Sequence, residues 1–174
     1  MKAFILDVST ILDKNKITED YKNDQQIISD ISKKMVEYAI DQMYDVKINW
    51  QEMKQTSYGK PYIENSDIYF NISHSGSYIL CAVGNEEVGV DIEGVHKFSE
   101  SLKKRILTPK EYNQKYSDEE ISNIWCIKEA YSKLLGIGLK LDFRLVDHTS
   151  IMKEYRLYNN KIDQYYISVI SKEK

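Results

Sequence analysis

Two acidic residues, Asp91 and Glu93, lie two positions apart near the middle of the 174-residue chain. The segment around them, residues 88–93, alternates apolar and polar side chains, which predicts a strand with both carboxylates on one face. Two ionised carboxylates this close repel each other unless a cation lies between them. A hard divalent cation such as Mg²⁺ prefers oxygen ligands and would remove that repulsion. The pair is also compatible with a solvated strand face, so these two residues alone leave both interpretations open.

A further carboxylate and a lysine, Glu129 and Lys133, are four residues apart in a segment with helical periodicity, so they share one helix face. Alone they indicate an ordinary helical ion pair worth about 0.2–0.5 kcal/mol. The interpretation changes because Lys60 and His74 lie in two upstream predicted loops, and the hydroxyl of Ser73 adjoins His74. Cations and hydrogen-bond donors in loops, with acids on rigid elements, suit a phosphate-bearing substrate and Mg²⁺.

The N-terminal half must supply the elements that position these loops. Residues 24–44 carry apolar side chains at helical spacing and predict a core helix. Residues 68–72 and 78–83 are rich in β-branched and aromatic types and predict two strands, with a turn over residues 73–77 that holds His74. The apolar face predicted for the helix consists of Ile27, Ile28, Ile31, Met35, Tyr38, Ala39 and Met43.

The C-terminal half shows two helix starts. Thr108 and Glu111 have the spacing of a capping box, which explains Glu111 fully and keeps it out of the predicted site. Ser117 begins the strongest helix of the chain, which ends at Gly136 and whose Trp125 is interpreted as an anchor to the core. The tail, residues 141–170, alternates apolar and polar types and predicts antiparallel strands.

Composition limits the classes of protein. A net charge of −3 argues against nucleic acid as the main partner. The only two cysteines, Cys81 and Cys126, lie in apolar runs and are interpreted as core residues. Neither a signal-peptide core nor a run of about 20 apolar residues is found, so we expect a cytoplasmic protein with no membrane association.

Four motifs together identify a resemblance to a known family. They are YGKPY at residues 58–62, FNISHSG at 70–76, GVDIE at 89–93 and WCIKEAYSKLLG at 125–136. In this order they resemble the 4′-phosphopantetheinyl transferase superfamily, and the first two resemble its surfactin-type branch, in which one chain contains two similar halves. The resemblance covers about residues 58–138, roughly half of the chain.

The resemblance implies an α+β fold of two pseudo-twofold-related halves, each a helix packed on a small antiparallel sheet. Residues 1–87 would form a reduced N-terminal half on the coenzyme A side, and residues 88–174 a C-terminal half with the metal and catalytic residues, in one compact, monomeric unit. The implied reaction is Mg²⁺-dependent transfer of 4′-phosphopantetheine from coenzyme A to a serine of an acyl or peptidyl carrier protein, which releases adenosine 3′,5′-bisphosphate. Such carriers serve fatty acid, polyketide or nonribosomal peptide synthesis.

Site residues follow from the matching motif positions. Asp91, Glu93 and Glu129 would hold Mg²⁺, or Mn²⁺ in its place. Glu129 would also be the general base, and Lys133 would stabilise the leaving group at the pyrophosphate. The residues implied in coenzyme A binding are Lys60, Ser73, His74 and Lys133.

Two alternatives remain. One is a degenerate coenzyme A or carrier-protein binding module without transferase activity, and the other is a Mg²⁺-dependent pyrophosphate hydrolase. Within the N-terminal third, residues 23–46 contain only two basic residues, Lys33 and Lys34. Surfactin-type relatives carry several there, so the two lysines, or Lys14, Lys16 and Lys22 upstream, would have to hold the adenosine phosphates.

Overall fold

The computed structural model describes residues 1–10 and 21–172, without the side chains of residues 21–24 and residue 52. The strands are β1 (Lys2–Asp7), β2 (Lys54–Gln55), β3 (Pro61–Tyr62), β4 (Tyr69–Ser75), β5 (Tyr78–Gly84), β6 (Val88–Gly94), β7 (Arg156–Ile162) and β8 (Tyr165–Ser171). The α-helices are α1 (Tyr21–Tyr44), α2 (Glu100–Ile106), α3 (Pro109–Asn113), α4 (Asp118–Leu135) and α5 (His148–Glu154).

Two three-stranded antiparallel sheets organise the chain, in the orders β1-β5-β4 and β6-β8-β7, beside the small β2-β3 pair. Strand β5 is buried on both faces because its side chains alternate between two hydrophobic clusters. Cys81 and Val83 belong to the cluster that α1 covers, whereas Leu80 and Ala82 pack with residues of β6 and β8. Helix α4 covers the other face of the second sheet. The layers are therefore helix, sheet, sheet, helix, which confirms the predicted α+β class.

The predicted helix over residues 24–44 is confirmed as α1, but its buried face is partly different from the prediction. Met35 and Ala39 are buried as expected, and so are Val36 and Ile40, which the prediction left out. Tyr38 is 59% exposed, and Ile27 is also exposed. Tyrosine fits an apolar pattern in sequence, yet its ring and hydroxyl are tolerated at a wet surface, which explains the error.

A glycine decides how closely α4 lies against β6. Gly89 belongs to the face of β6 that α4 covers, and a Cβ atom built on it would overlap the Ala130 carbonyl oxygen and the Leu134 backbone nitrogen. Only a residue without a side chain allows the helix backbone to approach the strand this closely. The next residues on this face of β6 are Asp91 and Glu93, which therefore lie against the same helix.

The tail is only partly a sheet, so the prediction for residues 141–170 is wrong in its first half. Short 3₁₀ turns and α5 occupy residues 143–154, and the strands begin at β7. Asp142 and Asp147 accept hydrogen bonds from the backbone of Arg144 and Thr149, as helix N-caps do. This capping, rather than alternation, sets the structure of the segment.

Strands β4 and β6 are edge strands of their respective sheets and lie side by side. The Val90 backbone NH, on β6, donates a 2.9 Å hydrogen bond to the buried Asn71 side chain of β4. An exposed edge NH would otherwise remain available to another strand. The Asn71 amide thus joins the two sheets at the level where Ser73 and Asp91 meet.

None of the described helices is both long enough and apolar enough to cross a membrane.

Candidate active site

Asp91 is the centre of a polar cluster formed by three elements. Its Oδ1 accepts a 2.9 Å hydrogen bond from the Ser73 hydroxyl of β4 and a 2.6 Å bond from the Lys133 ammonium of α4. Lys133 also donates to the Ser73 Oγ at 2.7 Å. Asp91 is only 4% exposed, so these charge-assisted bonds lie largely outside bulk water and are stronger for it.

Among the described residues, the second Asp91 oxygen, Oδ2, is buried without a hydrogen-bond partner, and so is Oε1 of Glu129. A buried carboxylate oxygen without a partner costs free energy unless a cation or proton compensates for it. Two such oxygens on facing elements, with Glu93 near them, form a donor set suited to a hard divalent cation. The residues present therefore fit the Mg²⁺ that the sequence motifs imply.

The electrostatics agree with this interpretation. Burial, and then the negative charge of Asp91, raise the pKa of Glu129 to about 7, against the opposing effect of Lys133. The same two causes raise the pKa of Glu93, while His96 and Trp125 oppose the shift. These carboxylates repel one another as the sequence predicted, and the repulsion is only partly relieved by Lys133.

His74 lies in strand β4, not in a loop as predicted. The strand continues to Ser75 and turns through Gly76, whose φ of +56° suits a two-residue hairpin turn. Its side chain is exposed, yet desolvation around the ring and the charge of Lys133 lower its pKa. The ring is thus partly exposed to solvent and within electrostatic range of Lys133.

Lys60 lies outside the hydrogen-bonded cluster around Asp91. Its ammonium donates to the backbone carbonyls of Val88 at 3.3 Å and Leu134 at 3.1 Å, next to the end of α4. Burial lowers its pKa. The Lys60 side chain also lies over Gly136, where α4 ends. Lys60 thus joins the loop before β3 to the end of α4.

A second acidic group lies on another side of α4. One ligand atom each of Glu111, Asp147 and His148 lies within 4.8 Å of the other two, whereas Asp91, Glu93 and Glu129 do not meet that distance among the described residues. However, both Glu111 oxygens already accept hydrogen bonds, so this group is a closed network and not an open cation site.

Several smaller predictions can be compared with the structure. Both capping boxes are confirmed, as is the burial of both cysteines. Trp125 packs edge-on against Phe143 with 4.8 Å between the ring centroids, as expected of a residue that anchors α4 to the core. Lys33 and Lys34 form ion pairs with Asp30 and Glu37 along α1. The side chains of the other three N-terminal lysines, at positions 14, 16 and 22, lie outside the described residues.

Sequence reasoning assigned no role to two residues of this region. Gly89 sets the approach of α4, and an isolated glycine inside a strand pattern was the available signal. Lys128 is fully buried, and its position directly before Glu129 carried no signal of that burial.

Comparison with known proteins agrees with the geometry. The family model "4′-phosphopantetheinyl transferase superfamily" matches residues 87–170, and the model "4′-phosphopantetheinyl transferase, N-terminal" matches residues 3–86. A 4′-phosphopantetheinyl transferase of Bacillus subtilis is 41% identical over 91 residues, which cover 48% of this chain and 41% of the relative.

Two further relatives carry the same name. The 4′-phosphopantetheinyl transferase Sfp of Bacillus subtilis strain 168 is 36% identical over 60% of this chain and 47% of its own length. The transferase gsp of Aneurinibacillus migulanus is 35% identical over 49% of this chain and 38% of its own length. The matched part of the chain thus spans less than half the length of each of these relatives. Since the two family models together account for residues 3–170, the chain belongs to the 4′-phosphopantetheinyl transferase superfamily, with a resemblance to its surfactin-type members.

Proposed function

We propose that this protein transfers the 4′-phosphopantetheine group of coenzyme A to a serine of an acyl or peptidyl carrier protein, with Mg²⁺ bound. The observation that carries the proposal is the cluster of Asp91, Glu93, Glu129 and Lys133, in which two buried carboxylate oxygens have no hydrogen-bond partner in the described part of the chain. The names of the relatives support the same reaction. Adenosine 3′,5′-bisphosphate would be the second product.

Asp91, Glu93 and Glu129 would hold the cation, with Mn²⁺ as a substitute. When bound, Mg²⁺ supplies positive charge that stabilises the pyrophosphate as its phosphoanhydride bond breaks. Lys133 already carries a cationic group to this position and would contact the leaving phosphate. Lys60, Ser73 and His74 would bind the remaining phosphates of coenzyme A.

Glu129 would take the proton of the carrier serine while the serine oxygen forms its bond to phosphorus. A general base acts best when its pKa is close to the working pH. Without a cation, burial and neighbouring charge bring the Glu129 pKa to about 7. Bound Mg²⁺ would lower this pKa and keep the carboxylate ionised, in the form that accepts a proton. The bond between phosphorus and the bridging oxygen then breaks, and the electron pair leaves with adenosine 3′,5′-bisphosphate.

The test is intact-mass spectrometry of an apo carrier protein after incubation with this protein, coenzyme A and Mg²⁺. We expect a mass gain of one phosphopantetheine group. The gain should be absent with a chelator and with a carrier whose acceptor serine is alanine, and it should form about 10³-fold more slowly with Glu129→Gln. No gain with several carriers, while coenzyme A is shown to bind, would favour the degenerate binding module.

A separate arm distinguishes transfer from hydrolysis. Coenzyme A is incubated with the protein and Mg²⁺ without a carrier, and adenosine 3′,5′-bisphosphate is measured by chromatography. The proposal predicts release only when a carrier is present. Release at the same rate without a carrier would instead indicate a pyrophosphate hydrolase.

A further inference from the structure

Lys128 is a charged side chain without contact to solvent, at 0% exposure, directly before Glu129 in α4. Adjacent residues of an α-helix point about 100° apart, because one turn takes 3.6 residues. Lys128 therefore leaves the helix on a different side from Glu129. There it meets the end of α2, the N-terminal end of α3 and the turn at Phe143.

The ammonium of Lys128 has no hydrogen-bonding capacity left for a substrate. It donates to the Ile106 carbonyl at 2.8 Å, to Glu111 Oε2 at 2.6 Å and to the Phe143 carbonyl at 3.1 Å. These three acceptors use its three protons. A phosphate could replace one of them only by leaving a buried carbonyl or carboxylate without a donor.

Glu111 is equally saturated and joins three segments. Its Oε2 also accepts from the Thr108 backbone NH at 2.7 Å, at the N-cap of α3. Its Oε1 accepts from the backbone NH of His148 at 3.0 Å and from His148 Nδ1 at 2.6 Å, where α5 begins. Through Lys128 this carboxylate holds α4 against the start of α3 and the start of α5.

Helix α4 is thus fixed on two sides. On one side Gly89 admits the helix backbone against β6, and on another side Lys128 is bound at three points. Contact with β6 alone sets the distance between α4 and the strand. The rotation of α4 about its own axis is then restricted only by the packing of its side chains. A buried ion pair restricts this rotation, because its hydrogen bonds form only in one orientation of the helix. For stability alone, an apolar pair of similar volume is often as good or better.

We propose that Lys128 and Glu111 are positioning residues, which fix the rotation of α4 and thereby hold Glu129 and Lys133 opposite Asp91 without contacting substrate. This inference rests on the proposed transfer reaction and deepens it.

The test compares Lys128→Met, Glu111→Gln, the double variant E111Q/K128M and the control Lys110→Met. Lys110 forms an ion pair with Asp147 nearby but is largely exposed, so its loss should change neither the melting temperature nor the kinetics. Melting is followed by circular dichroism, and kinetics are measured at a temperature where every variant is folded. Mg²⁺ affinity is measured by calorimetry.

Lys128→Met leaves Glu111 buried and charged without its cation, so we expect the lowest melting temperature for this variant. The double variant should regain much of that loss, because no unpaired buried charge remains. Its kcat should nevertheless stay about 10²-fold below the unmodified protein, the scale of a misplacement of about 1 Å. Its Mg²⁺ affinity should fall about tenfold, as for loss of a supporting shell around a metal site. The KM for coenzyme A should remain within about twofold, since substrate contacts are kept.

Two results would overturn the inference. Recovery of both melting temperature and kcat in the double variant would reduce the pair to a purely structural role. A raised KM for coenzyme A in Lys128→Met, with kcat retained, would make Lys128 a substrate contact.

Two further arms keep the result decisive. Glu111→Asp keeps both charges but shortens the acidic side chain by one methylene group, and it is used if the double variant fails to fold. We expect kcat to fall while the KM for coenzyme A is unchanged. An unchanged kcat would contradict the positioning role. If the unmodified protein transfers nothing, the proposed function fails. Mg²⁺ affinity in the double variant then decides the positioning role by itself.

Discussion

Helix α4 carries two lysine–carboxylate pairs of the same length and of opposite character. Lys128 binds Glu111 at 2.6 Å, and five residues later Lys133 binds Asp91 at 2.6 Å. Around the first pair every donor and acceptor has a partner. Around the second pair, Asp91 Oδ2 and Glu129 Oε1 have no hydrogen-bond partner within residues 1–10 and 21–172, which the structure describes. The distance within an ion pair therefore says little about its role. The two pairs differ in whether the surrounding polar atoms have hydrogen-bonding capacity left to bind a ligand.

The pKa values express the same contrast. Burial raises the pKa of Glu129 to about 7, because nearby negative charge adds to desolvation. Burial also acts on Glu111, but hydrogen bonds from His148, Lys128 and Thr108 outweigh it and lower the pKa of Glu111 to about 2. The first carboxylate is ready to take up a proton or a cation near neutral pH, and the second remains ionised.

The largest effect is expected for Glu129, on the side of α4 that faces Asp91. Glu129→Gln should lower kcat by about 10³-fold, because the amide cannot take the serine proton. The melting temperature should be unchanged or higher, because the neutral amide avoids burying a charge. Glu111→Gln should show the opposite pattern in stability. A Glu129→Gln variant with normal turnover would remove Glu129 from the reaction and would break the contrast between the two pairs.

Acid should reduce the stability that the Lys128–Glu111 pair gives to the fold. Because the folded-state pKa of Glu111 lies at about 2, below its ordinary value of 4.5, its ionised form stabilises the fold above pH 4.5, and this is lost as the pH falls toward 2. The difference amounts to about 3 kcal/mol. Urea unfolding of the unmodified protein and Glu111→Gln between pH 2 and pH 7 measures it. A stability difference between the two proteins that does not shrink toward acid would contradict the assignment.

Gly89→Ala tests whether α4 must lie this close to β6. The added methyl group would overlap the helix backbone, so we expect a loss of about 1–3 kcal/mol in the free energy of unfolding, together with reduced kcat. Gly84→Ala is the matched control, because a Cβ at that strand end makes only ordinary contact with Met1. Equal stability of the two variants would show that the approach of α4 is not limited by Gly89.

The smallest effect expected concerns coenzyme A alone. His74→Ala should raise its KM about tenfold, the loss of about one hydrogen bond to a charged group, with no change in melting temperature because the side chain is exposed. Lys60→Ala should lower the melting temperature as well, since two backbone carbonyls lose their donor. Lys110→Ala serves as a surface control, because its side chain is largely exposed. An unchanged KM in both variants would exclude them from phosphate binding.

Features encoded within one element could be predicted from the sequence. Alternation in β6 placed Asp91 and Glu93 together, and capping boxes marked α3 and α4. The placement of His74 was wrong because a two-residue turn at Gly76 lets β4 continue past it. Loop signals such as serine and glycine do not reveal how short the turn will be.

Features that depend on distant segments could not be predicted. The burial of Lys128 requires residues 106, 111 and 143 to converge on it, and no local pattern encodes that meeting. Lys133 was expected to contact a pyrophosphate, and its bonds to Ser73 and Asp91 depend on two sheets joining edge to edge. Only the tertiary structure shows which of these lysines has spare capacity.

The Asn71–Val90 hydrogen bond also bears on how the molecule could be divided. Ser73 and His74 belong to the first sheet, and Asp91 to the second, and the chain passes between these sheets through the short link 85–87. Cutting the backbone there would separate the hydroxyl and the imidazole from the carboxylates, and reassociation along β4 and β6 would bring them together again. Because Leu80 and Ala82 pack with Val88 and Val90 across this seam, the two fragments would bury a shared apolar surface when they reassociate.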